Sequence, residues 1–293
     1  MAPITPPSRV LILGGQGFMG RHFRTIYPEA ITPSLDIADR AAVAAALAEH
    51  RPDVVINCAG KTGRPNVDWC ESHPQETLRA NVTGALIVLE ECQRRGAYLV
   101  HLSSGCIYAG DKGGKGYSED APPNFGGSFY SRTKAWADQM MREFPVLTLR
   151  LRMPFDGSTD ERNLIMKLIR YSRVLTEANS LTCIPDFLRA AEGLIASRST
   201  GIWNVVNEGS MSPFQIMERY RERIDPRHSF AALPASRLGE VARAGRSNCV
   251  LDTSRLGNVG LALPRVEESV ERALGDLQSA LTPPHRVSPA RAG

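Results

Sequence analysis

Near the start of the chain an apolar run, Val10-Leu11-Ile12-Leu13, feeds directly into Gly14-Gly15-Gln16-Gly17-Phe18-Met19-Gly20. Four apolar residues without alternation read as a strand buried on both faces, the kind found inside parallel sheets. Glycines at 14, 17 and 20 allow a tight turn out of that strand. The helix that follows offers unpaired N–H groups at its first turn. Such a backbone can approach a diphosphate closely, which makes Gly14, Gln16, Gly17, Phe18 and Met19 candidate cofactor contacts.

The rest of the chain repeats the alternation of strand and helix. Residues 30–34 predict a short second strand, followed by Asp36 and Ile37, and Asp39 reads as the N-cap of an Ala-rich helix ending near His50. Asp36 is either a plain turn residue or a contact to the adenine end of a cofactor, with Ile37 beside it. Residues 53–59 (DVVINCA) form another buried strand. Its small end, Cys58-Ala59-Gly60, leaves room for a cofactor across the sheet edge. Residues 74–95 predict a helix with Leu78, Val82, Ala85, Leu86 and Leu89 on its apolar face. Asn81 interrupts that face and needs partners if buried. Residues 98–102 and 146–152 are further strands. This order argues for an α/β fold, a Rossmann-type doubly wound parallel sheet. Helices are predicted over 163–170, 183–198, 213–223 and 265–280, with a strand at 201–207. Residues 8–152 are assigned to a nucleotide-binding domain whose sheet 200–207 completes, and 153–280 mainly to a smaller C-terminal substrate-binding lobe. Residues 1–7 and 281–293, rich in Pro and polar residues, read as disordered tails.

Composition narrows the function. The net charge of +4 comes with scattered arginines and no basic block interleaved with aromatics. Nucleic acid is not suggested, and an anionic small ligand fits. The six cysteines, at 58, 70, 92, 106, 183 and 249, form neither metal-ligand spacing nor a disulfide framework, so no metal site is expected. That usage suits a reducing cytoplasm, and no run is apolar and long enough to span a membrane. No acid ends the predicted second strand to grip a ribose 2′-hydroxyl, while Arg21 and Arg24 lie near the glycine turn. The reading leans to NADPH, with NADH left open.

Chemistry concentrates in Phe129-Tyr130-Ser131-Arg132-Thr133-Lys134. On a helix Tyr130 and Lys134 share a face, and an ammonium beside a phenol draws its pKa down from about 10. Such a phenol can exchange a proton with a carbonyl. If strand geometry persists past residue 102, Ser104 and Cys106 point to one side.

With these motifs the chain resembles the extended short-chain dehydrogenase/reductases, from about residue 9 to 256. Within them it is similar to the 4-dehydrorhamnose reductases, and closer to the bifunctional 3,5-epimerase/4-reductases that make UDP-rhamnose. The nearer likeness rests on residues 62–73 (TGRPNVDWCESH), 105–108 (GCIY) and 123–134 (PNFGGSFYSRTK), with 150–154 (RLRMP) and 200–204 (TGIWN) adding to it. The resemblance implies that Ser104, Tyr130 and Lys134 are the reductase triad. Cys106 and Lys167 are then the acid/base pair that inverts the two carbons flanking a 4-ketone. Among only five lysines, one stands at each of the two places required. The implied substrate is UDP- or dTDP-4-keto-6-deoxyglucose, with Arg64, Asn66, Asn163 and Arg246 as candidate substrate contacts, and a homodimer is implied. Two alternatives stay open: a 4-ketosugar reductase in which Cys106 merely packs, and a catalytically silent Rossmann subunit.

Overall fold

The computed structural model describes residues 9–281; the expected tails, apart from Leu281, lie outside the described residues. β1 (Val10–Leu13) turns through the glycines into α1 (Phe18–Ile26), and α2 (Arg40–His50) precedes β2 (Val54–Asn57). The Asp39 side chain caps α2, accepting from the Ala42 N–H at 3.1 Å. The expected second strand contracts to one parallel bridge between Ile31 and Leu11. Pro28 and Pro33 flank this stretch, and neither can donate a ladder hydrogen bond.

Next come α3 (Asp68–Ser72), α4 (Pro74–Leu78), a π-helical turn (Arg79–Thr83) and α5 (Gly84–Arg95). The last three run on as the predicted helix of 74–95, widened where Asn81 sits. Leu78, expected on the buried face, is 39% exposed. β3 (Tyr98–Ser104) reaches two residues further than expected, and then the chain tightens into a 3₁₀ turn at Gly105–Ile107. Strand geometry therefore stops at Ser104, and Cys106 is placed by the turn. α6 (Phe129–Met141) leads to β4 (Leu147–Leu151).

Beyond these lie β5 (Pro154–Phe155), α7 (Leu164–Leu168), β6 (Arg173–Leu175), β7 (Thr182–Cys183) and α8 (Ile184–Ala196). β8 (Gly201–Asn204), α9 (Pro213–Arg223), β9 (Ala231–Leu233), α10 (Ser254–Asn258) and α11 (Val266–Leu281) complete the order. Leu281 thus ends a helix rather than opening a tail.

The main sheet runs β1-β2-β3-β4-β8, parallel throughout. One face packs on α1 and α8, where Phe23 meets Phe187 edge to face at 5.9 Å. The other packs Val43, Val88 and Met141 of α2, α5 and α6. Helices on both faces make this a doubly wound, Rossmann-like sheet. A second core gathers Phe155, Ile165, Leu168, Ile216, Val270 and Leu274 from β5, α7, α9 and α11. Of residues 153–280, α8 belongs to the sheet's core rather than to this one. β1 lies between the Ile31 bridge on one side and β2 on the other. The chain order reverses there, at the carboxyl ends of the strands, where α/β sheets hold their ligands.

Candidate active site

Ser104 closes β3, and its hydroxyl accepts the N–H of Cys106 at 3.1 Å. Facing it is the first turn of α6, capped by Ser128, whose Oγ accepts the Ser131 N–H at 3.1 Å. The Glu71 carboxylate accepts the Phe129 N–H at 2.5 Å. This bond anchors the start of α6 to α3, which lies in the segment that carried much of the sequence resemblance. Asn81 adds a second tie. Its carboxamide takes the Lys61 N–H at 2.8 Å and donates to the Lys61 carbonyl and to Thr133 Oγ1. The buried Asn is thus a bridge between the loop after β2 and the helix bearing Tyr130 and Lys134.

Tyr130 is half-buried within reach of Ser104. Burial pushes its phenol up and the neighbouring Cys106 sulfur adds to that; the Ser104 hydrogen bond and the Arg152 charge pull the other way. The net result is a phenol that stays protonated at neutral pH. Lys134 is buried, and its ammonium donates to the Leu102 carbonyl at 2.8 Å. Burial lowers its pKa to about 8, against the opposing charges of Asp138 and Cys106. The expected pull of Lys134 on Tyr130 is therefore not what shapes the phenol here, because burial outweighs the opposing influences.

Beneath this pair lies a buried clamp. Asp138, one turn beyond Lys134, accepts from Ser103 Oγ at 2.7 Å and from Arg150 Nη2 at 2.6 Å. One carboxylate thereby ties β3, β4 and α6 together, fixing where Ser104 stands relative to Tyr130.

Cys106 is half-buried, and its sulfur accepts from an Arg152 guanidinium nitrogen at 3.2 Å. Arg152 itself is 1% exposed. The sequence reading gave Arg152 no role. A signal was present: residues 146–152 (VLTLRLR) place two arginines in a strand pattern otherwise apolar.

At the glycine turn, Gly14 adopts φ +73°, and a Cβ there would lie 2.8 Å from the Ala59 nitrogen. A side chain at Gly20 would be driven into the Gly14 carbonyl oxygen. The turn is thus sealed against any larger residue, with Cys58, Ala59 and Gly60 alongside. Burial raises the Cys58 thiol's pKa, leaving it a neutral packing group. Gln16, Gly17, Arg21, Arg64, Asp160 and Arg162 help line a cleft of about 290 Å³. Arg21 spans it, bonding the Gln16 carbonyl and the Asp160 carboxylate. A wider depression of about 730 Å³, among Arg40, Glu91, Arg94 and their neighbours, holds none of the candidate residues.

The remaining candidates divide. Arg64 lines the cleft. Lys167 is half-buried on α7, and burial lowers its pKa, as does the Arg162 charge. Its charged neighbours, Asp160, Glu161 and Arg162, all line the cleft, and none belongs to the Ser104–Cys106–Tyr130 cluster. Asn163 is fully buried, caps α7 through the Ile165 N–H, and donates to Asp156 and Ser158, so its carboxamide is engaged within the protein. The side-chain oxygen of Asn66 forms a turn with the Asp68 N–H at 2.9 Å. Arg246 bonds Asp68 at 2.9 Å. Asp36 caps the Ala38 N–H and pairs with Arg79, while Ile37 is buried against Gly84. These two shape the loop beside the turn.

Similarity to known proteins agrees with this geometry. The chain is 39% identical over 241 residues to a bifunctional dTDP-4-dehydrorhamnose 3,5-epimerase/dTDP-4-dehydrorhamnose reductase of Arabidopsis thaliana, covering 80% of each. It is 38% identical to a trifunctional UDP-glucose 4,6-dehydratase/3,5-epimerase/reductase of the same plant, over 80% of this chain but 36% of that one. Among solved structures, the UDP-rhamnose synthase of Acanthamoeba polyphaga mimivirus superposes with a TM-score of 0.88 at 27% identity, covering 93% of this chain and 100% of that one. A dTDP-4-dehydrorhamnose reductase of Bacillus anthracis in complex with NADP gives 0.80 at 25% identity, covering 93% of this chain and 100% of that one. The RmlD substrate binding domain model matches residues 8–279, and the chain belongs to that family, of the extended short-chain dehydrogenase/reductase type.

Proposed function

We propose that this protein is an oxidoreductase that reduces the 4-ketone of a nucleotide-activated 4-keto-6-deoxyhexose, and that it first inverts C3 and C5 to give the rhamnose configuration. The observation that carries the reading is the cluster of Ser104, Cys106 and Tyr130 at the end of β3, with Lys134 beneath it. The reductase half is supported by dTDP-4-dehydrorhamnose reductases among the relatives, and the epimerase half by the bifunctional plant enzyme.

The glycine turn, sealed at Gly14 and Gly20, fits a dinucleotide diphosphate, and the arginines of the adjoining cleft fit its charge. Gly14, Gln16, Gly17, Phe18 and Met19 would hold it, with Cys58, Ala59 and Gly60 alongside. NADPH, when bound, supplies the hydride for C4. Ser104 and Tyr130 hold the C4 oxygen through their hydroxyls, and Tyr130 gives its proton to the oxygen as negative charge develops there. Its protonated phenol is in the state this requires.

For inversion, the same two donors stabilise the enolate that forms when a proton leaves C3 or C5. Cys106 serves one face of the ring and Lys167 the other. Burial biases the Lys167 amine toward its neutral form, which can take up a proton. The charges that act on Lys167 are those of the cleft residues Asp160, Glu161 and Arg162, with no member of the cluster among them, which favours a second reading, a reductase that relies on a separate epimerase.

Residues 8–152 and 200–207 would then bind cofactor, and the core built on α7, α9 and α11 would close over the sugar nucleotide. A homodimer is supported by Leu78, Trp136, Met140 and Phe144, which are 38–43% exposed on and just beyond α4 and α6. A cytoplasmic setting is supported by six cysteines that are all free thiols. Among the described residues no helix is long and apolar enough to cross a membrane.

Two variants separate the halves. Tyr130→Phe should cut NADPH oxidation by roughly 10²–10⁴-fold; near-normal turnover refutes the reductase role. Cys106→Ala should reduce a pre-epimerised substrate yet lose solvent deuterium exchange at C3 and C5. Unchanged exchange retires the epimerase role.

A further inference from the structure

Arg152 is an unusual side chain to find in a core. It is 1% exposed, and among the described residues no carboxylate lies within ion-pair distance of it. Its neighbours are neutral: Ser247 Oγ at 3.1 Å, the Ser247 carbonyl and the Asn179 carboxamide oxygen. Its Nε is buried without a partner. Burying an arginine without a counter-charge costs several kcal/mol. The other buried arginine, Arg150, shows the usual solution, an aspartate at 2.6 Å. The one group near Arg152 that can carry negative charge through a direct contact is the Cys106 sulfur, at 3.2 Å.

We propose that Arg152 is a positioning residue whose guanidinium is the counter-charge of the Cys106 thiolate, holding that sulfur aimed and charged for proton abstraction. The role of the thiolate rests on the epimerase reading above; the pairing itself does not. Other titratable groups face Cys106 from the elements around it: Tyr130 and Lys134 from α6, and Cys249 from the 247–251 segment. Among these, Lys134 also acts on Cys106 through its charge, but its hydrogen bond goes to the Leu102 carbonyl rather than to the sulfur. Tyr130 and Cys249 are both pushed up by burial and bring no positive charge. The local positive charge in contact with the sulfur is therefore Arg152.

The test is peptide-resolved alkylation of Cys106 by iodoacetamide in the full chain, compared across pH for wild type, Arg152→Met and Arg152→Lys. Thiolate is the reacting form. Arg152→Met should slow alkylation at pH 7 by about tenfold or more and move the profile to higher pH, with Arg152→Lys restoring most of the rate. Equal rates in Arg152→Met and wild type overturn the inference. Should Arg152→Met not accumulate as folded protein, wild type decides alone: a Cys106 profile coincident with that of glutathione overturns it. Deuterium exchange in Cys106→Ala reports separately on the epimerase reading. Slowed alkylation with exchange retained in Cys106→Ala upholds the pairing and removes the epimerase.

Discussion

The buried clamp under the active site gives the sharpest quantitative expectation. Asp138 and Arg150 are 1% and 0% exposed, and the carboxylate takes hydrogen bonds from Ser103 and from two guanidinium nitrogens, at 2.6 and 3.0 Å. Asp138→Ala removes the counter-charge and strands the guanidinium, whose remaining bond is to the Glu119 carbonyl. Breaking a buried pair from one side costs about 3–5 kcal/mol. For a chain of this size each kcal/mol moves the unfolding midpoint by about 2–4 °C, so a fall on the order of 10 °C is expected in a thermal scan. Replacing both partners, Asp138→Leu with Arg150→Met, should recover most of it, because no charge is left unpaired. Turnover should fall with the single variant too, since the clamp sets β3 against α6. A midpoint within about 3 °C of wild type would refute this account of how the site is held.

Other expectations follow from single residues. Lys134 has a folded-state pKa of about 8 against an ordinary 10.5, so the unfolded chain holds that proton longer as pH rises. Its contribution to stability should therefore grow between pH 8 and 10.5, by up to about 3 kcal/mol. Urea midpoints of wild type and Lys134→Met should diverge over that window; parallel curves would contradict the burial assigned to the ammonium. Gly20→Ala should disrupt the turn, because its methyl is aimed at the Gly14 carbonyl and lies 2.7 Å from the Gly15 Cα. NADPH affinity by fluorescence titration should drop at least about tenfold with roughly 1–3 kcal/mol of stability; an unaltered affinity would show that the turn is not the diphosphate cradle.

Much of the fold was legible because it depends on local pattern. Unbroken apolar runs marked β1 and β2, and Asp39 marked the start of α2 as its cap. Local pattern failed where partners decide. Residues 30–34 read as strand, but only Ile31 finds a neighbour. Leu78 fits the apolar spacing of 74–95, yet the π turn at Arg79–Thr83 shifts the phase and leaves it outside. At the site, the i, i+4 spacing of Tyr130 and Lys134 was visible, whereas the direction of their titration was not, since burial is a property of the packed core. Polar candidates are ambiguous for a related reason. Asn66 and Asn163 stand in loops where a ligand contact and a turn-forming hydrogen bond look alike in sequence. Arg152 was overlooked because its meaning lies in a contact with Cys106, 46 residues earlier.

The central claim is that one site performs both inversion and reduction. Incubation of the protein with UDP-4-keto-6-deoxyglucose and NADPH in deuterated water, followed by NMR of the product sugar, tests it most directly. The account predicts a rhamnose-configured hexose carrying deuterium at C3 and C5. A reduced sugar of unchanged configuration, with protium retained at both carbons, would contradict it.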